Sequence, residues 1–102
     1  MKMILKLCDM MEDELRGAEE YIDCAIKHKA DQPDVARDWA SMSEVELEHF
    51  GRLHADAERI IEQVRSQTGA PDQSMMQVYQ YLHKKYVAWK TRILAKHNEF
   101  KS

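Results

Sequence analysis

The chain is poor in everything that breaks a helix. Its 102 residues include only three glycines and two prolines, so a fold built from many short strands, each needing its own turn residues, is excluded. Cysteine is equally scarce, with Cys8 and Cys24 alone. On one helix these two would stand about 24 Å apart, too far to pair. Without a disulfide framework, a reduced, cytoplasmic setting is expected. Long apolar runs are missing too. The stretch Met1 to Leu7 is interrupted by Lys2 and Lys6, and acids follow from Asp9 onward. It reads as the first turns of a soluble helix, not as a signal peptide or a spanning segment, and no membrane association is expected.

What the chain does contain is helix-forming. Hydrophobic residues make up 44% and charged residues 32%, with Ala, Glu, Lys, Leu, Met and Gln abundant, a composition that favours an all-α fold. The length allows one domain, or a subunit too small to bury a generous core by itself. The net charge of −3 is unevenly spread: residues 1–82 hold nine Lys/Arg against seventeen Asp/Glu, and residues 83–102 hold six against one. The basic end comprises Lys84, Lys85, Lys90, Arg92, Lys96 and Lys101. It can be read as a phosphate-contacting tail or as a solvated face that complements an acidic neighbour. The acidic remainder and the lack of a nucleic-acid motif favour the second, so nucleic acid is not expected as a partner.

Two breaks divide the sequence. Around Ala30-Asp31-Gln32-Pro33-Asp34, an Asp ahead of Pro and another just after it mark a helix start. Around Thr68-Gly69-Ala70-Pro71-Asp72, Gly fits a helix C-cap and Pro-Asp opens the next helix. Three helices are predicted, near 3–29, 33–66 and 72–98, and the short first connection makes the first two an antiparallel hairpin.

The first helix carries Ile4, Leu7, Met11, Leu15, Ala18, Ile22 and Ala25 at alternating three- and four-residue steps, a coiled-coil-like seam. A second track on the same side runs Leu7, Met11, Glu14, Ala18, Tyr21, Ala25. The second helix has an inward track of Val35, Trp39, Met42, Glu46, His49, Leu53, Ala57 (or Asp56), Ile60 and Val64. The third has Met75, Tyr79, Leu82, Tyr86, Trp89, Ile93 and Phe100, an aromatic stripe that reads as core or interface before it reads as a stacking platform. Both tracks of the first helix are apolar, which is more surface than one further helix can cover, so association into a homo-oligomer is expected.

Glu14, Glu46 and His49 interrupt these apolar rows. Glu46-Leu47-Glu48-His49 is an E-x-x-H sequence, of which five His and ten Glu give roughly half an occurrence by chance, so the match alone means little. Position says more. Residues three apart share a helix face, so Glu46 and His49 can converge. Residues level with each other in an antiparallel hairpin have numbers that sum to a constant. Pairing Glu14 with Glu46 or His49 centres the turn within Ala30 to Pro33, where the break lies. Glu20 would need a centre beyond the start of the second helix. A carboxylate taken from water without a partner costs several kcal/mol, so two carboxylates and an imidazole meeting there point to a cation. The alternative is that they satisfy one another at a helix interface, in a metal-free interaction module. His54 with Glu58 reads as a rim pair, and His28, His83 and His97 are assigned no role.

With Glu14, an aromatic seven positions on (Tyr21), and then Glu46 and His49, residues 7–65 resemble the ferritin-like superfamily, which includes rubrerythrins and ferritins. In that superfamily one helix supplies a Glu and the next supplies Glu-x-x-His, and a second such set completes a di-metal carboxylate site. This chain departs from the pattern. Its third helix has no Glu-x-x-His, a fourth helix is missing, and no Cys-x-x-Cys rubredoxin module is present. Half a site is encoded, most similar in pattern to the half-length, encapsulin-associated ferritins. The overall look also resembles small phage-encoded helical proteins, which gives no mechanism. The ferritin-like resemblance implies a homodimer holding two ions of iron or manganese. Glu46 of both chains would bridge them, Glu14 and His49 would cap each, and Tyr21 would stand behind Glu14. The implied chemistry is Fe(II) oxidation by oxygen or peroxide, or iron sequestration.

Overall fold

A computed structural model describes residues 2–69 and 72–102. Three helices account for nearly all of them: α1 (Lys2–His28), α2 (Pro33–Thr68) and α3 (Gln73–Lys101). The fold is all-α, and the helix ends lie within three residues of those predicted. Local chemistry explains the ends. Pro33 occupies the first turn of α2, where its missing N–H is no loss. Gly69 ends α2 at φ 86°, a conformation that side chains disfavour, and its N–H reaches Arg65 O at 2.9 Å. Asp72 caps α3 by accepting the Met75 N–H at 3.2 Å. The expected contribution of Pro71 to that start lies outside the described residues.

The helices form a rod of 56 × 18 × 17 Å. Its backbone is the α1–α2 hairpin. Ile4, Leu7, Met11, Leu15, Ala18, Ile22 and Ala25 are all buried along the seam, as the three–four spacing predicts, and Cys8 joins them. On α2 the buried row is Ala36, Ala40, Ser43, Leu47, Phe50, Ala57 and Ile61. Except at Ala57, this differs from the predicted track. It is displaced one residue towards the C-terminus, about 100° around the helix. The small residues Ala36, Ala40 and Ser43 take the seam because they let the helix axes approach. The bulkier Trp39, Leu53 and Ile60 stand half-buried at its edge, and Val35 is exposed.

Helix α3 packs chiefly on α1 and is held there by polar bonds as well as by buried Tyr79, Tyr86 and Ile93. The Tyr86 hydroxyl faces Cys8 O at 3.1 Å and Glu12 Oε2 at 3.3 Å. Glu19 of α1 accepts from Trp89 Nε1 (3.2 Å), Arg92 Nε (3.0 Å) and Lys96 Nζ (3.2 Å). The Arg92 guanidinium, with Lys96 beside it, lowers the Glu19 carboxyl to about 2 despite partial burial. Lys96 also donates to Asp23 at 2.8 Å. Two of the six cations at the basic end thus complement acids on α1.

The deepest polar link joins all three helices. Ser43 is fully buried and donates to Ala18 O at 2.7 Å, and His97, 4% exposed, lies 2.8 Å from the same hydroxyl through Nε2. Since the serine proton is used on Ala18, His97 Nε2–H is the donor to Ser43 Oγ. Burial lowers the His97 pKa and keeps the ring neutral, although the Glu44 carboxylate 3.9 Å from Nδ1 pulls the other way. The sequence assigned His97 no role, and the fold uses it as an internal tie. Ser43→Ala leaves the His97 donor unpaired in an apolar setting. It is expected to lower unfolding stability by about 1–3 kcal/mol, read as a drop in the urea midpoint with unchanged slope.

Candidate metal centre

Glu14, Glu46 and His49 do meet. One ligand atom from each lies within 4.8 Å of the others, and this is the one such group of three or more His, Cys, Asp or Glu among the described residues. The break between α1 and α2 falls at residues 29–32, where the register argument requires it. Neighbouring ligand atoms about 2.1 Å from one tetrahedral or octahedral ion stand roughly 3.0–3.4 Å apart, so the most separated of these three would have to close by more than about 1 Å to share one.

The group is not in the core, however. It lies on a flank of the hairpin seam. Cys8, Glu12, Glu19 and Asp23 of α1 turn towards α3, whereas Glu14 and Gly17 turn to the other side. The displaced α2 row has the same effect, leaving Glu46 and His49 beside the seam. Glu14 is 23% exposed and His49 45% exposed. With Met10, Arg52, Leu53 and Asp56 these two line an open recess of about 310 Å³.

The two carboxyl groups are close enough to interact directly. Glu46 is pushed up to about 7. The first cause is the proton it shares with the Glu14 carboxyl, followed by burial and repulsion from Glu14, while His49 pulls weakly the other way. Glu14 Oε2 is buried, stands 3.4 Å from His49 Nδ1 and makes no hydrogen bond. Such an orphaned carboxylate oxygen is uncommon in a folded chain, and a cation would satisfy it.

Two contributors escaped the sequence reading. Gly17 leaves the space into which Glu46 extends: a β-carbon at position 17 would sit 3.2 Å from Glu46 Oε2. The available signal was the glycine itself, since one in a helix interior costs about 0.5–1 kcal/mol relative to alanine. The other is Arg52, one turn beyond His49. Tyr21, placed behind Glu14 by the resemblance, is half-buried, and among the described residues its hydroxyl makes no hydrogen bond. His54 keeps its pair with Glu58 at 3.3 Å and also stacks on His83, ring centroids 4.8 Å apart, with its pKa lowered first by burial. His28 contacts Asp31 at 3.3 Å. Neither joins the group.

No protein-family model, curated protein or solved structure matches the chain.

Two outcomes test this geometry. A carboxyl raised in the folded state stabilises the fold fully below its unfolded pKa, and that contribution is lost as pH rises through the folded value. In chelator, this contribution of Glu46 is therefore expected to fall between pH 4.5 and about 7, while His97 and His54, whose lowered pKa values act with the opposite sign, titrate alike in wild type and Glu46→Gln. Allowing for solvent screening at a partly exposed site, the loss is about 1 kcal/mol. Glu46→Gln, which removes the titrating proton, should abolish that slope; an unchanged slope in chemical denaturation would place its origin elsewhere. Gly17→Ala has the opposite logic. It should stabilise the metal-free helix by about 0.5–1 kcal/mol while displacing the Glu46 carboxylate. Divalent-ion affinity is expected to fall in isothermal titration even as the melting point rises.

Proposed function

We propose that this chain is a ferritin-like di-metal protein whose site is completed by a second copy, with iron or manganese as the ion. The observation that supports it above others is the convergence of two carboxylates and an imidazole from facing helices around an orphaned, buried carboxylate oxygen. Carboxylate-rich sites with one imidazole suit iron and manganese better than structural zinc. Three ligands from one chain leave a metal open, and the recess beside Glu14 and His49 gives that open side access to solvent.

The surrounding surface supports a second copy as the cover. Among the described residues, no helix lies over the flank carrying the three ligands. That flank presents Met10 and Val35, 40% and 43% exposed, with Trp39, Leu53 and Ile60 half-buried. A two-fold partner would cover that strip and add its own Glu14, Glu46 and His49. Glu46, which extends into the space at Gly17, would hold both ions, and Glu14 and His49 would each hold one. A bound ion of this kind supplies Fe(II) oxidation by oxygen or peroxide, or stores the metal. The chain's own part is to hold the ion by losing the proton shared between Glu46 and Glu14.

The rival reading is a metal-free oligomeric helical module. It is supported by the same proton, since Glu46, Glu14 and His49 partly satisfy one another without an ion. Metal content separates the two. Protein purified without chelator is expected to carry iron or manganese, to run as a dimer or larger in sedimentation, and to lose the metal on Glu46→Ala. Equal, trivial metal in both proteins sinks the di-metal reading, and a strict monomer sinks the shared site.

A further inference from the structure

Helix α3 is held to its two neighbours by different chemistry. On α1, Glu19 and Asp23 grip Arg92 and Lys96. On α2, the first half of α3 is held by rings. Phe50 and His54 of α2 and His83 and Tyr79 of α3 form one pile, each ring tilted from the next by 14°, 18° and 19° in that order. The closest pair is His54 and His83, with centroids 4.8 Å apart, and the flanking pairs stand at 6.4 and 5.8 Å. The centre of the pile carries a defect. His54 Nε2 is buried and makes no hydrogen bond. Glu58 Oε1 lies 3.3 Å away, out of line for a bond, and the Tyr79 hydroxyl donates to that same oxygen at 3.4 Å.

We propose that this ring pile is an acid-operated clasp, closed while His54 is uncharged and opened when it takes up a proton, so that the first half of α3 leaves α2. The proposal goes beyond the metal reading and uses none of its ligands. A neutral imidazole stacks between rings at little cost, whereas an imidazolium there gives up its water on both faces. Four groups face His54. From α3 come His83, the Tyr79 hydroxyl and the Lys90 ammonium, and from α2 comes Glu58. Helix α1 reaches the pile through Cys8, which acts on Tyr79. His83 and Lys90 oppose a positive charge on His54. Lys90 also stands over the Phe50 ring, 5.9 Å from its centroid, so the cation–π attraction of that ring is already used by the lysine. Glu58 alone favours the proton, and its side chain is 57% exposed, where water screens it. Burial first, and then His83, outweigh Glu58 and hold the His54 pKa below its ordinary value. A group lowered in this way stabilises the closed form fully above its ordinary 6.5, and that contribution is lost as pH falls through the lowered value. Opening does not free α3 from α1. The Glu19 carboxyl, at about 2, keeps its charge and its hold on Arg92 in mild acid. What the opening uncovers is the apolar face of α2 around Phe50, 5% exposed in the closed form.

Amide hydrogen exchange, corrected for the intrinsic effect of pH and run in chelator, follows the clasp along α3. Between about pH 7.5 and about pH 5, protection over residues 76–87 is expected to fall about tenfold relative to the α1 seam, the ratio that one pKa unit gives. His97, which weakens the far half of α3 in the same direction, is present in every chain compared. His54→Phe keeps a ring in the pile without a titrating nitrogen and should hold the protection of residues 76–87 constant with pH. His54→Gln, uncharged at every pH, should be equally flat from a lower starting level, and circular dichroism checks that both fold. In the wild type itself, the NMR titration of the His54 ring should share its midpoint with the loss of protection. Separate midpoints overturn the proposal whichever variants fold. Constant protection in the wild type overturns it, and so does a fall of wild-type size in either folded variant. An equal loss in the α1 seam is unfolding of the whole chain, not an opening of α3, and counts against it too.

Discussion

The register of the α1–α2 seam is the constraint on which the rest depends. Sliding α2 by one helical turn along α1 would keep apolar residues against apolar residues over most of the length. It would nonetheless separate Glu14 from Glu46 and take Ser43 away from Ala18 O. The register is fixed at the turn by Pro33 and a four-residue connection, and along the seam by Ala36, Ala40 and Ser43, which bring the two backbones close. Among the described residues, the Ser43–Ala18 bond is the buried polar contact between α1 and α2 that reads this register directly, because a hydroxyl on a short side chain reaches only the carbonyl beside it. His97 then extends the same bond to α3.

Helix α3 is added to one side of this hairpin. Its attachment is more polar than the seam, through Glu19 with Trp89, Arg92 and Lys96 and through Tyr86 on Cys8. Exposed ion pairs contribute little individually, but Glu19 is largely covered and gathers three donors, so its bonds fix where α3 sits and in which rotation. By occupying the Glu19 side, α3 leaves the Glu14 side bare. The two flanks of α1 therefore have different roles: one docks the third helix, and the other presents ligands to solvent.

Much of this was legible in the chain. The three–four spacing on α1 named its buried residues, and the Pro33 and Gly69 signals placed the breaks. The turn position selected Glu14 over Glu20 as the partner of Glu46 and His49, and the basic end met the acidic first helix. The rotation of α2 was not legible. Hydropathy ranks Trp39, Leu53 and Ile60 above Ala36, Ala40 and Ser43, whereas close packing of two long helices ranks them the other way. That inversion moved the ligands from the centre of an interface to its edge. Nor could single residues reveal relations between side chains: the clearance at Gly17, the stack of His54 on His83, and the burial of His97 all depend on what faces them.

The edge position alters the energetics of the proposed dimer. Glu14 and Glu46 are tolerable on the free chain because the recess is wet and one proton is shared between them. Covering the flank with a second copy would bring four carboxylates into one dry space, where each shared proton only halves the charge. Desolvation of that kind costs several kcal/mol per uncompensated group, enough to oppose the burial of Met10, Trp39 and Leu53. Two divalent ions remove the penalty. Association and metal binding would then be one linked equilibrium, each favouring the other by the same free energy. In this reading the partner's Glu46 would add a further oxygen to each ion, and the ions would offset the carboxylates that burial of the apolar strip brings together. Each half then favours the other, which gives a physical reason for ligands at the seam's edge: there the same flank could serve as a monomer's wet surface and as a dimer's metal core.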